Sequence, residues 1–536
     1  MADNGLRRRL FLGCFFGLVA TAFGFAVRGA VLNEWGAQFQ LSEEQKGIIS
    51  GVGTYPFAIS IILFSLIVDK IGYGTAMVFA FLGHIISTIA TIFAPSFEVL
   101  YLATFLYALS NGMVESVINP VVATIYKDNK THWLNVLHAG WPGGLVLGGL
   151  LAIAVVLLGD RLTLPGHLWQ WQMAVLVFPI LLYGMLLFGL RFPVQERVAA
   201  GVSFREMLSE FGWASAYIVS FLVIMGIGQL LAVFQMSVPP EQRIAIGVRG
   251  ALLWSLVPTA VFAVFVRSFG RPMFVFLMLV MFLLATTELG TDGWIQDIMG
   301  SVLKSPMLGT LFIVYTAAIM FVLRFFAGPI VHRISPLGLL AASSALAAVG
   351  LYWLGNAGPS AGVLFLAATL YGCGKTFFWP TTLGVVSEQY PKGGALLLNA
   401  ISGVGMIAVG TIGGPAIGTL QDVNFNRAVA QAQPSIHTSL AADKKGLFTE
   451  YQFIDKTRIA SADLTPSQVS ELTALESQTK QQALAKIAVL PVIMCACYLL
   501  LIAYFRSRGG YQAQVLTGHA AEDEKFTGGT AGPGEG

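Results

Sequence analysis

Runs of about twenty apolar residues, parted by short polar turns, recur along most of this chain. At 1.5 Å of rise per residue, each run covers about 30 Å, the thickness of a bilayer's hydrocarbon core. The pattern predicts spanning helices near 10–32, 47–68, 74–94, 98–125, 135–158 and 171–192. Two more lie near 213–236 and 249–267, and a last six near 271–300, 308–331, 337–355, 360–386, 394–420 and 483–505. That makes fourteen helices: two blocks of six around an inserted pair. The expected organisation is an N-terminal six-helix bundle (1–195), an inserted transmembrane hairpin with its linkers (196–270) and a C-terminal six-helix bundle (271–508). The polar stretch 421–482 reads as a long outer loop, in which Thr465-Pro466 starts a helix running into the last span. The Gly-, Ala- and acid-rich stretch 509–536 reads as a disordered cytoplasmic tail.

Composition agrees with this pattern. Of 536 residues, 56% are hydrophobic and 11% charged, with a mean hydropathy of +0.73. Soluble domains carry about 25% charged residues, so most of this surface faces a lipid bilayer. The net charge of +3 is small and gives no reason to expect nucleic acid. Where the positive residues sit is more telling. Sixteen Lys and Arg, from Arg7-Arg8-Arg9 to Lys525, fall on one side of the predicted topology, against Lys46, Arg161, Arg243, Arg249 and Lys304 on the other. Positive residues favour the cytoplasmic side, so both termini are expected inside. The apolar run from Leu10 to Leu32 is long enough to span, so it reads as a first helix and not as a cleaved signal. The four cysteines, Cys14, Cys373, Cys495 and Cys497, all lie in apolar runs and read as inert thiols. No metal-ligand spacing, nucleotide loop or nucleophile motif is recognisable, so neither an enzyme nor a cofactor is expected.

Six spans, an insert and six spans imply internal duplication, the usual architecture of secondary transporters, with a midplane site between repeats. The turn Asp69-Lys70-Ile71-Gly72 after the second span has a counterpart at Gly328-Pro329-Ile330-Val331-His332-Arg333. Asp69, Lys70, Gly72 and Arg333 are therefore gating-loop candidates, joined by Arg324 as a gate ion pair or turn brace in the cytoplasmic third.

These features resemble the major facilitator superfamily: an all-α polytopic membrane protein of two six-helix bundles. Asp69-Lys70-Ile71-Gly72 is similar to a shortened form of its signature loop. The stretch Asn111-Gly112, Glu115, Asn119-Pro120, then Leu134-Asn135-Val136-Leu137-His138-Ala139-Gly140-Trp141, resembles the fucose-permease-like sugar:proton symporters. The resemblance implies a secondary transporter carrying a sugar or similar small polar solute with protons, as a monomer in a bacterial inner (plasma) membrane. The first-span acid of that family has a counterpart in Leu32-Asn33-Glu34, but a few residues further along, at the outer mouth. Some members carry an inserted helix pair.

A charge inside a span costs at least about 2.5–3.5 kcal/mol, so it is retained facing a cavity or a partner. Counting rise from Lys127 puts Glu115 about 18 Å deep, near the middle, where a carboxyl can carry a proton. Asn119 and Asn135 accompany it. His138 is expected near the cytoplasmic surface, as a relay or as a helix-end histidine. His84 reads as a satisfied core residue. Arg28 is about 29 Å deep, where it would meet an anionic substrate, pair with a carboxylate or snorkel. Glu288 and Lys375 both lie about 25 Å deep and are expected to approach each other or share the substrate. Asp292, Trp294, Gln296, Trp379, Asn399 and Trp141 offer aromatic faces, amides and acids suited to sugar hydroxyls. A uniporter or an organic-anion carrier using Arg28 and Lys375 is the rival reading. A membrane-embedded sensor is the rival from another class, although no soluble output domain is evident.

Overall fold

The computed structural model describes residues 2–41, 49, 51–162, 164–235, 246–446, 449–461, 464–514 and 516. Lys46, Arg243 and Lys525 of the charge count, and the expected tail beyond residue 516, lie outside these residues. Among the described residues, thirteen helical stretches are long and apolar enough to cross a membrane. The second expected span corresponds to the seventeen-residue helix Tyr55–Ile71, a fourteenth element shorter than the rest.

The first bundle comprises α1 (Ala2–Gln38), α2 (Tyr55–Ile71), α3 (Tyr73–Ile92) and α4 (Phe97–Ile125). It continues with α5 (Lys130–His138), α6 (Gly140–Leu162), α7 (Leu168–Ala174) and α8 (Val177–Leu187). α1 packs along α6, and α4 along α2 and α3. Small residues allow this close approach, which lipid-embedded packing requires. Gly144 and Gly148 lie against the backbone of α1, and Gly112 lies against the carbonyl of Phe57. α5 and α6 form one span, broken at Ala139 just before the Gly140-Trp141-Pro142 run.

The inserted pair is α9 (Phe204–Phe234) with α10 (Val248–Trp254) and α11 (Leu256–Val266). Its base is closed by backbone hydrogen bonds from Trp213 N to Ser268 O (2.9 Å) and from Arg271 N to Glu210 O (3.1 Å). A two-toothed Arg271–Glu210 ion pair at 2.6 Å reinforces it. Gly212 makes the crossing possible: its φ is +70°, and a Cβ there would overlap the backbone of Gly270. α9 lies against the second bundle, while α11 exposes Val257, Val261, Val264 and Phe265 as a lipid-facing surface must.

The second bundle comprises α12 (Pro272–Ala285), α13 (Thr291–Val302), α14 (Pro306–Arg324) and α15 (Ala327–Asn356). It continues with α16 (Ala361–Lys375), α17 (Phe378–Gln389), α18 (Gly394–Ala408) and α19 (Gly414–Ala432), and α20 (Pro434–Leu440), α21 (Pro466–Ile487) and α22 (Val489–Arg506) complete it. Two helical turns are wound wide, as π-helix. Thr286–Gly290 joins α12 to α13, and Val409–Gly413 joins α18 to α19. They pack on each other, with Gly413 against the Thr286 side chain. Wide turns of this kind re-aim side chains at functional sites.

Residues 421–482 are not a loop. α19 and α21 continue past the expected span ends, and α20 and an antiparallel hairpin, β1 (Ala441–Lys445) with β2 (Glu450–Ile454), lie between them. They enclose their own small core of Phe425, Val429, Ile436, Leu440, Ile454 and Leu472. Thr465 caps α21 reciprocally with Gln468, and Lys480 ties this helix to Asp297 of α13 at 2.8 Å. The segment reads as polar because only one narrow face of each element is apolar. The expected tail also begins as ordered chain. Tyr511 donates to Glu388 Oε2 (2.8 Å), and Gln389 Nε2 donates to Gln512 O (2.8 Å).

Gly212→Ala is expected to destabilise the protein by about 1–3 kcal/mol, because it forces a Cβ into a positive φ against backbone. Thermal unfolding in detergent checks this, with Gly226→Ala, which meets nothing within 4 Å, as the control.

Candidate functional site

The two bundles meet along α2 and α18, α6 and α14, and α5 and α17. Between them lies a narrow cavity. Its aromatic and aliphatic walls are Phe57, Ile61, Trp141, Leu289, Trp379 and Met406. Its polar lining is Glu115, His138, Glu288, Arg324 and Ser402. Phe57 and Trp141 stack at 6.4 Å with a 15° interplanar angle, and Phe25 leans on both.

Prolines organise the polar groups. A proline has no N–H, so the carbonyl four residues before it loses its helical partner. Three such carbonyls lie at this interface. Pro120 frees Ser116 O, which accepts from Asn399 Nδ2 of the second bundle at 2.9 Å. Pro142 frees His138 O and Pro380 frees Thr376 O, and both accept from Arg324: Nη1 at 2.5 Å and Nε at 2.8 Å. The third arm, Nη2, reaches Glu288 Oε1 at 3.2 Å. Arg324 is buried with every arm engaged, one of them across the bundle boundary. The π-helical turn delivers Glu288 to this point, and among the described residues Glu288 Oε2 has no partner.

On the first bundle, Glu115 Oε2 accepts from Asn119 Nδ2 at 2.7 Å. That leaves Asn119 Oδ1 as an acceptor, so His138 Nε2 donates to it at 2.9 Å. Among the described residues, no cation bonds Glu115. A chain of contacts therefore runs from Glu115 through Asn119, His138 and Arg324 to Glu288.

Below this floor, the end of the bundle bearing Arg7–Arg9 is closed by bonds between the halves. Asn135 Nδ2 donates to Thr381 Oγ1 (3.1 Å), Lys130 to Ser387 O (3.4 Å) and Thr131 Oγ1 to Glu388 Oε1 (2.5 Å). Gly384 gives Thr131 room. Tyr511 holds the other oxygen of the same Glu388 carboxylate. Asp69 pairs with Arg197 at 2.5 Å, Lys70 lies over the Phe204 ring at 5.3 Å, Gly72 turns the chain at φ +82°, and Arg333 is exposed.

Several expectations from the sequence are corrected here. Glu288 pairs with Arg324, and Lys375 pairs with Asp292 and lies 5.0 Å from the Tyr371 ring, so the two expected to approach each other or share the substrate lie near one another but form no direct ion pair. Rise along a helix gives depth but not direction, and the wide turn at Thr286–Gly290 rotates α12 relative to α13. Of the two roles expected for Arg324, gate ion pair or turn brace, the structure has the ion pair, with Glu288, but in the cavity lining; His138, expected near the cytoplasmic surface, is likewise a buried cavity residue. Arg28 does not line the cavity. It lies inside the first bundle, 3.9 Å over the Tyr107 ring, with Nη2 donating to Ser87 Oγ at 3.3 Å. Gln296 is exposed and donates to Thr310, while Trp294 donates to Gly414 O. Both lie outside the lining, as does Glu34 near the end of α1. His84 is held between Tyr183 and Asn111, as a core residue. Ser402, Phe57 and Met406 join the lining without having stood out in the sequence. The signal that marks this site is proline position, since the Trp-Pro pairs at 141–142 and 379–380 mark both carbonyls that Arg324 reads.

Arg324→Gln is expected to destabilise the protein by about 3–5 kcal/mol, because it leaves Glu288 buried and unpaired. Adding Glu288→Gln should restore part of that loss. Unfolding of both variants in detergent measures it, and no recovery in the double variant would contradict the pairing.

Comparison with known proteins agrees with this architecture. No curated sequence matches the chain. Among solved structures, the human organic anion transporter MFSD10 (TETRAN) is 14% identical with a TM-score of 0.57, covering 92% of this chain and 99% of its own. The E. coli fucose:proton symporter FucP is 15% identical with a TM-score of 0.51, covering 90% and 98%. The proton:xylose symporter XylE is 12% identical with a TM-score of 0.54, covering 91% and 95%. At such identities the likeness is one of fold. The family model described as Major Facilitator Superfamily matches residues 14–418, so this chain belongs to the Major Facilitator Superfamily.

Proposed function

We propose that this protein is a secondary transporter that carries a sugar or similar small polar solute by alternating access, coupled to protons. The observation that carries this reading is Glu115. It is a buried carboxyl in the cavity between the bundles, held by an amide and, among the described residues, by no cation. An unpaired carboxylate in such a place is costly, so it spends part of the cycle protonated. Trp141 and Trp379 offer faces for the apolar side of a sugar ring, and Glu288 Oε2 and Ser402 offer polar partners for hydroxyls. FucP and XylE, both sugar:proton symporters by description, support the same direction. One chain supplies the whole cavity, which fits a monomer. The clustering of Lys and Arg supports placing both termini on the cytoplasmic face of a bacterial inner membrane.

The organic-anion alternative has MFSD10 in its favour. The side chains it would use point the other way: Lys375 is occupied by Asp292, Arg28 lies outside the cavity, and Arg324 is fully engaged.

In proteoliposomes, an inward proton gradient is expected to drive uptake of at least one sugar from a hexose and pentose panel. In Glu115→Gln, whose amide mimics the protonated acid, that dependence on the gradient should vanish. Sugar uptake that ignores the gradient would remove the coupling, and uptake of organic anions alone would remove the sugar.

A further inference from the structure

The charges lining the cavity do not balance. Glu288 and Arg324 neutralise each other, and His138, donating from Nε2 to Asn119, needs no second proton to make that bond. Glu115 is left as one net negative charge when ionised. Every arm of Arg324 is bonded to protein, so the cavity's described lining presents no free cation to a substrate. What it presents is acceptors: the Glu115 carboxylate and the unpartnered Glu288 Oε2, beside the Ser402 hydroxyl.

The groups facing Glu115 and its helix are few. Within the cavity they are His138 from α5, Arg324 from α14 and Glu288 from the π-helical turn. α2 and α18 contribute Phe57, Ile61, Ser402 and Met406, none of which titrates. Farther along α4, His84 bonds Asn111 and Arg28 covers Tyr107, one and two turns away. With no cation among the described residues bonded to the Glu115 carboxylate, its charge must be met by something that enters.

Two things can meet it: a proton, or a cation on the solute. We propose that the site also accepts polyols bearing a protonated amine (amino sugars), and that the ammonium group takes the place of the coupling proton at Glu115. The exchange balances: the protonated carboxyl gives its proton to water, and the carboxylate then pairs with the R–NH3+ group. Neutral sugar and proton would bind together, whereas amino sugar and proton would exclude each other. An amino sugar would thus cross with one proton fewer than its hydroxyl counterpart. A solute carrying a carboxylate would add a second negative charge and be rejected. This rests on the sugar reading above, but the two fail separately.

The test is ligand binding to the purified full chain in nanodiscs, measured by calorimetry or by Trp fluorescence. The ligands are D-glucose with D-glucosamine and D-galactose with D-galactosamine, over about pH 5 to 7, where such amines remain protonated. Linkage of one proton changes affinity by up to about tenfold per pH unit. The neutral sugar of a pair is expected to bind more tightly as pH falls, and the amino sugar more tightly as pH rises, with proton release on binding. In Glu115→Gln both dependences should disappear, and in Glu115→Asp, which keeps the charge, the opposed slopes should persist. Amino sugars whose affinity follows the same slope as the neutral sugars would overturn the proposal and leave the sugar reading in place. Amino-sugar binding that strengthens with pH, with no neutral sugar binding at any pH, would sink the neutral-sugar reading and uphold the proposal. Absence of binding by both amino sugars would overturn the proposal, while the sugar reading is decided by the uptake panel above.

Discussion

The site is organised around one guanidinium. Arg324 is buried in a protein whose outer surface is lipid, where an unsatisfied donor or an unpaired charge costs several kcal/mol. Its arms go to the carboxylate of Glu288 and to two carbonyls that Pro142 and Pro380 release from their helices. One of those carbonyls belongs to the opposite bundle. The same residue therefore neutralises an acid, satisfies two broken helices and bonds the halves together. Beside the apolar contact of α2 with α18, the polar part of this interface is a small number of specific bonds, and such bonds can be exchanged for others. That property is what alternating access requires of an interface.

Other bonds between the halves are likewise few and specific. Ser116 O, released by Pro120, meets Asn399; Asn135 meets Thr381; Thr131 meets Glu388. Glycines at the crossing points, Gly384 among them, let the backbones come close enough for these short side chains to reach. The bonds lie on the floor of the cavity and toward the arginine-rich end. Closure at that end thus has identifiable parts, and the ordered start of the C-terminal segment touches one of them through Tyr511 and Glu388. Glu115 sits above this floor, joined to it by Asn119 and His138. Under the proposed proton coupling, a proton at Glu115 would change the first link of a chain whose last link is Glu288.

Much of this architecture is legible in the sequence. Hydrophobic period and charge asymmetry give the spans and the inserted pair, because lipid leaves a backbone few alternatives. Helical rise places Glu115 at mid-depth, and its spacing to Asn119 puts both on one face. What the sequence hides is direction. Glu288 and Lys375 lie at similar depth, yet the wide turn at Thr286–Gly290 sends Glu288 to Arg324 and leaves Lys375 to Asp292. His138 and Arg324 look peripheral when depth is counted along unbroken helices, but both precede or face breaks made by proline. Arg28 is misleading for a similar reason, since depth alone does not tell a cavity from a bundle interior. Residues 421–482 look like a loop because their helices and hairpin bury only narrow apolar faces in a core of six residues.

In the transport cycle proposed above, the bonds at the arginine-rich end form one of two arrangements, and solute with a proton at Glu115 favours the other. Spin labels at the exposed positions Asn129 and Lys392, one on each half, report this directly by pulsed dipolar spectroscopy in nanodiscs. A single short distance is expected without solute at alkaline pH, and a second, longer population when a transported sugar is added at acid pH. In Glu115→Gln that longer population should form with sugar at either pH. One unchanged distance under all these conditions, in a protein that still transports, would rule out that exchange.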